Sequence, residues 1–177
     1  MNLAARYQVI WLAPIAAAVV APAYAATYMT VPQAQQTMFA GQTFTVVPLL
    51  LSKQQIKDIE KTGNVRVREP QLKLWRASGG GWFYLDQVLG KHEFITYAVA
   101  INADGSLRSI EILDYRETYG SQIRNPKWRA QFEGKRAGAP LKLEVDIVNL
   151  SGATLSCRHI ADGVRRLLQT HAIAVAR

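Results

Sequence analysis

An α+β fold with a mainly antiparallel sheet and flanking helices is predicted by three observations. Short alternating apolar runs follow one another through the middle of the 177-residue chain. Capped helical segments are few and lie before, between and after these runs. Strand and helix do not alternate regularly, which argues against a parallel sheet built from crossover units.

The first residues read as an export signal rather than as part of the fold. Arg6 supplies positive charge, Val9 to Val20 is apolar, and Ala23-Tyr24-Ala25 fits the small-x-small cleavage rule, so residues 1–25 are expected to be removed. Pro14 and Pro22 interrupt an apolar stretch shorter than the roughly 20 residues that span a bilayer. The expected location is therefore periplasmic. What remains is long enough for one compact domain, or one with a small subdomain.

Thr30-Val-Pro-Gln33 has a capping residue, a proline in the first turn and Gln three positions on, which predicts a short helix carrying Ala34, Met38 and Phe39. Ser52-Lys-Gln-Gln55 repeats the capping box, with Leu51 and Ile56 placed for a hydrophobic staple and Gly63 as the stop. Val65 to Trp75 alternates around Pro70, a strand with an edge or bulge. Gly79-Gly80-Gly81 leads into Trp82–Leu85, a further strand; no helix pattern follows the glycines, so a hairpin turn suits them better than a phosphate loop.

Phe94–Ile101 and Leu107–Tyr115 form a hairpin around Asp104-Gly105. Asn125-Pro126 starts a short helix that places Trp128 and Phe132 on one face. Leu141, Leu143, Val145 and Ile147 alternate with Lys142, Glu144 and Asp146, the pattern of a half-buried strand. A last helix is expected from about Ser156, with Ile160, Val164, Leu167 and Leu168 as its packing stripe and Arg158, Asp162, Arg165 and Arg166 on the other face.

The formal charge of +8 admits nucleic acid, anionic membrane or acidic proteins as partners. Export argues against nucleic acid, and the basic residues are interleaved with acidic ones. Docking to an acidic redox partner is the remaining reading. Cys157 is the only cysteine, so no internal disulfide forms and a buried structural thiol is expected. His92, His159 and His171 have no metal-ligand spacing, and no serine nucleophile pattern is present.

One segment carries chemistry. Ser151-Gly152-Ala153-Thr154-Leu155-Ser156 gathers three hydroxyls and a glycine where a helix begins. A helix N-terminus offers free N–H groups and partial positive charge to a phosphate. The same residues also make an ordinary capped helix start. The residues alone leave both readings open. On the helix beyond, Arg158 and Arg165 share a face and are the cations best placed to offset a phosphate. Arg158–Asp162 and Asp162–Arg166 have the spacing of a surface charge ladder.

From about His92 to His171 the order of motifs resembles the FMN-binding domain family. That family includes domains of the C subunit of the sodium-pumping NADH:quinone reductase, of the G subunit of the Rnf complex, and of periplasmic flavoproteins. The shared features are the Asp-Gly hairpin, Glu117-Thr118-Tyr119-Gly120, Trp128 to Gln131-Phe132-Glu-Gly134-Lys135, Ser-Gly-Ala-Thr and the final helix. The resemblance implies an FMN-binding domain over residues 91–172, after an N-terminal segment, residues 26–90, of unassigned role.

It also implies that Thr154 carries FMN through a phosphoester bond. Ser151, Gly152, Ala153, Leu155 and Ser156 would then surround the phosphate and ribityl chain, with Glu117, Thr118 and Gly120 near the flavin and Arg158 near the phosphate. Two positions depart from the family pattern: Tyr119 replaces proline, with a stacking or a core role open to it, and Val148 stands where an aspartate usually precedes the serine. The partners implied are a flavin transferase and a membrane-bound reductase, the chain relaying electrons to an extracytoplasmic acceptor. The rival expectations are a cofactor-free module of an envelope redox complex and a reversible FMN binder.

Overall fold

The computed structural model describes residues 26–176; the export signal expected over residues 1–25 lies outside the described residues. Seven strands form one open sheet in the order β1-β7-β6-β5-β4-β2, with β3 also paired to β4. They are β1 (Ala26–Thr27), β2 (Phe44–Val46), β3 (Leu49–Leu50), β4 (Gln71–Ala77), β5 (Trp82–Leu89), β6 (Phe94–Ile101) and β7 (Leu107–Tyr115). Every strand pair is antiparallel. The α+β architecture is as predicted.

Helices cover both faces. α1 (Val31–Met38) and α2 (Lys53–Gly63) precede the long strands, while α3 (Pro126–Ala130) and α4 (Thr154–Thr170) follow them. Both expected capping boxes form: Thr30 with Gln33 and Ser52 with Gln55. Gly63 is the last residue of α2, and Asn64 in the left-handed region ends the helix.

β6 lies at the centre and is buried on both sides, which explains its nearly unbroken apolar run. Ile95, Tyr97, Val99 and Ile101 point into the larger core, with Ile160, Val164, Leu167 and Leu168 of α4. Ala98 and Ala100 point the other way, towards Ala34, Met38 and Phe39 of the α1 region. Small side chains on that face let the short helix approach the sheet closely. Cys157 is fully buried in the larger core, and burial pushes its thiol pKa up.

Two predicted strands do not form as expected. Only Gln71–Ala77 of the earlier alternating run pairs, and residues 65–69 are irregular. Pro70 has no N–H for a ladder, and its carbonyl instead accepts from Leu51 N at 3.0 Å. The Leu141–Ile147 alternation is a compact turn with a single bridge between Leu143 and Ile147. Leu141 and Glu144 take positive φ angles of 43° and 64°, and the Asp146 carboxylate gathers the N–H groups of Leu141 and Lys142. Leu141 and Ile147 are still buried, but Val145, expected on the same face, is 65% exposed, because no partner strand holds the alternation.

Three short strands, β1, β2 and β3, were not legible, since none exceeds three residues. No helix among the described residues is long and apolar enough to cross a membrane.

Candidate functional site

The Ser151–Ser156 segment is the turn into α4. Ala153 N donates to the Leu150 carbonyl at 2.9 Å, and Gly152 takes φ +78° with nothing within 4 Å of an added Cβ. The helix begins at Thr154, two residues earlier than expected, and Ala153 is its cap with no side-chain hydrogen bond. The hydroxyls are therefore not spent on capping. The N–H groups of Thr154, Leu155 and Ser156 make no hydrogen bond among the described residues, whereas Cys157 N closes the first turn on the Ala153 carbonyl at 2.8 Å. Three free donors lie at the positive end of a 17-residue helix.

Thr154 is exposed, and its Oγ1 accepts from Asn149 Nδ2 at 3.1 Å. Asn149 Oδ1 is buried without a partner among the described residues. Ser151 and Gly152 are exposed, and Leu155 is 41% exposed. Ala153 and Ser156 point inward instead.

The two motifs separated by 30 residues of chain are brought together by Tyr115 and Gly120. The Tyr115 hydroxyl donates to the Tyr119 carbonyl and lies 3.1 Å from Ser156 Oγ. Gly120 takes φ +95°, and a Cβ there would stand 3.3 Å from Ala153 Cβ and 2.4 Å from Tyr115 Oη. The Glu117–Gly120 turn therefore packs backbone to backbone against the start of α4, which only glycine permits. Tyr119 is 81% exposed beside it, which removes a core role for this side chain.

Glu117 and Thr118 have different places. Glu117 accepts from the N–H groups of His92, at 2.6 Å, and Glu93, at 3.0 Å. Burial raises its pKa, but the N–H groups of Glu93, His92 and Lys91 outweigh that and hold it below the ordinary value. Glu117 thus ties the β5–β6 turn to the site and stays ionised. Thr118 is exposed.

The Trp-x-x-Gln element clamps the strand of chain that leads into the turn. Trp128 Nε1 donates to the Val148 carbonyl at 2.8 Å, and Gln131 Oε1 accepts from Val148 N at 2.7 Å. Both backbone groups of Val148 are fixed while its side chain is 64% exposed. Gly134 and Lys135 exchange backbone hydrogen bonds with Leu107 at the start of β7, and Lys135 pairs with Asp146 at 3.1 Å. Trp128, Gln131 and Lys135 thus hold the chain that leads to Thr154.

The arginines of α4 separate sharply. Arg158 is exposed, has no hydrogen bond or ion pair among the described residues, and lies one helical turn beyond Thr154. It lines a cleft of about 480 Å³ with residues 138–143. Arg165, expected as a phosphate partner, is engaged elsewhere: it donates to Gly63, Pro140 and Leu141 carbonyls and pairs with Asp162. Arg166, expected on the exposed face, is buried against Asp86. The surface ladder expected through Asp162 is therefore absent.

Sequence reasoning missed Tyr115, Asn149 and the double clamp on Val148. Tyr115 ends an alternating strand and reads as core. Asn149 stands beside a motif without belonging to it.

The donor set fits a phosphoryl group at this turn. Three unpaired N–H groups, an exposed hydroxyl and a glycine without crowding leave room for it, and Arg158 supplies nearby positive charge. Residues 90–169 match the family described as FMN-binding domain. No curated protein matches the chain.

Proposed function

Residues 90–169 belong to the FMN-binding domain family, and on that premise we propose that this chain is an exported electron carrier with FMN joined covalently to Thr154 through a phosphoester bond. The observation that carries the reading is the exposed Thr154 hydroxyl at the first position of α4, beside three unpaired N–H groups. FMN, once bound, supplies the redox chemistry.

The residues of this chain have distinct tasks in that reading. The N–H groups of Thr154, Leu155 and Ser156 receive the phosphate, whose remaining charge Arg158 offsets. Asn149 orients the Thr154 oxygen. Tyr115 and Gly120 hold the Glu117–Gly120 turn against the same helix start, which places exposed Tyr119 beside it. Covalent attachment keeps the cofactor where free flavin is scarce. A flavin transferase matures the chain, and a membrane-bound reductase donates the electrons.

Intact mass after expression with an active flavin transferase tests this directly. The expected gain is one FMN less one water, lost in Thr154→Ala. A yellow protein that bleaches on denaturation and filtration would instead mean reversible FMN binding. No flavin at all would leave a cofactor-free module.

A further inference from the structure

β4 and β5 pair from Arg76–Trp82 to Lys73–Leu85, and the two strands part beyond Lys73–Leu85. β5 continues along β6 as far as Leu89. Residues 65–69, kept out of the sheet by Pro70, and one side of α4 enclose the gap. The result is a cleft of about 870 Å³, separate in its lining from the Ser151–Ser156 turn. That volume falls within the range of roughly 300–1,000 Å³ usual for small-molecule sites.

Its chemistry is uneven in a useful way. Leu72, Val88 and Leu167 supply an apolar lining on the α4 side of the sheet, while Leu85 belongs to the opposite face. Gly163 lets α4 lie directly against the sheet at the floor, where a Cβ would stand 2.2 Å from Tyr97 Oη and 2.9 Å from Val88 Cγ1. Asp86 is neutralised by Arg166 and also accepts from the Tyr97 hydroxyl, and Asp162 is held by Arg165. Those charges are satisfied within the protein.

The rim is not. Arg66 and Arg68 are exposed and make no ion pair or hydrogen bond among the described residues, against one lining carboxylate without a cation, Glu69, that accepts only from Gln71 N at 3.1 Å. His159, also in the lining, has its Nδ1 buried without a partner among the described residues. Apolar walls beneath a cationic rim are complementary to a molecule with an apolar body and one negative group.

We propose that this cleft binds a small amphipathic anion, an aromatic or branched apolar body carrying a carboxylate, sulfonate or phosphate. The body lies against Leu72, Val88 and Leu167 on the α4 side of the sheet, and the anionic group meets Arg66 and Arg68. The site is independent of flavin attachment, although α4 serves both.

Isothermal titration calorimetry of the full mature chain with anilinonaphthalene sulfonate tests the site. Saturable one-to-one binding is expected, weakened at least tenfold in Arg66→Glu/Arg68→Glu and equal in the flavin-loaded chain and Thr154→Ala. Unchanged affinity in the double variant, with its thermal melt intact, would overturn the proposal. So would binding present in Thr154→Ala and lost in the flavin-loaded chain, because the cleft would then be the seat of the flavin ring itself.

Discussion

At the residue scale, the Tyr115 hydroxyl serves two groups at once, the Tyr119 carbonyl and Ser156 Oγ. Tyr115→Phe leaves both without that partner in a half-enclosed place, so a loss of about 1–3 kcal/mol is expected. Urea unfolding measures it, and a change below about 0.5 kcal/mol would mean that solvent already serves these groups. Gly120→Ala is expected to cost at least about 2 kcal/mol, because φ +95° strains any side chain and the new methyl would stand 2.4 Å from Tyr115 Oη. Its partner Ala153 was readable as part of a motif, but its packing against Gly120 was not. Sequence spacing shows hydroxyls near a helix start; it does not show which of them turns inward, as Ser156 does.

At the scale of elements, α4 is held in place by arginines rather than by its apolar stripe alone. Arg165 ties it to the end of α2 and to residues 140–141, and Arg166 ties it to β5 through Asp86. The side chains of Arg166 and Asp86 are only 10% and 18% exposed. Removing one partner strands a buried charge, so Asp86→Ala should destabilise by about 3–5 kcal/mol. The double variant Asp86→Leu/Arg166→Met should recover part of that loss in thermal unfolding, since neither charge then remains and only the buried Tyr97 hydroxyl still lacks its acceptor. An equal loss in single and double variants would show that packing rather than charge dominates there. Helical periodicity located the apolar stripe of α4 correctly, yet it assigned Arg166 to solvent. A 3.6-residue pattern says which face is apolar, but the aspartate that draws an arginine inward lies 80 residues away on β5. The same blindness to distant partners explains Leu141–Ile147, where Leu141 and Ile147 are buried, Val145 is exposed and no strand lies alongside. The long strands β5, β6 and β7 were legible because their turns, at Gly79–Gly81 and Asp104-Gly105, are local.

For the whole molecule, two cores on opposite faces of one sheet leave titratable groups sealed where α4 ends. His171 is 2% exposed, its Nδ1 lies 2.8 Å from the Tyr84 hydroxyl, and Trp82 packs edge-on against its ring. Burial lowers its pKa from 6.5 to about 4. The unfolded chain therefore binds a proton below pH 6.5 that the folded chain refuses until about pH 4. Stability is full above pH 6.5, falls as the pH drops through that window, and loses about 3 kcal/mol by its lower end. Glu117 and Asp146 act in the same direction but lower on the scale. Backbone N–H groups hold both below their ordinary values despite partial burial, with Lys135 also helping Asp146, so their contribution is lost only as acid reaches the carboxylates. The expected profile has two steps, the first belonging to His171. Urea midpoints across pH 7.5 to 3 read it. His171→Phe, which keeps the ring contact with Trp82 and removes the titrating nitrogens, should flatten the step between pH 6.5 and 4 and leave the acid step in place. An unchanged upper step in that variant would assign it to another group and show His171 to be solvated enough to protonate while folded.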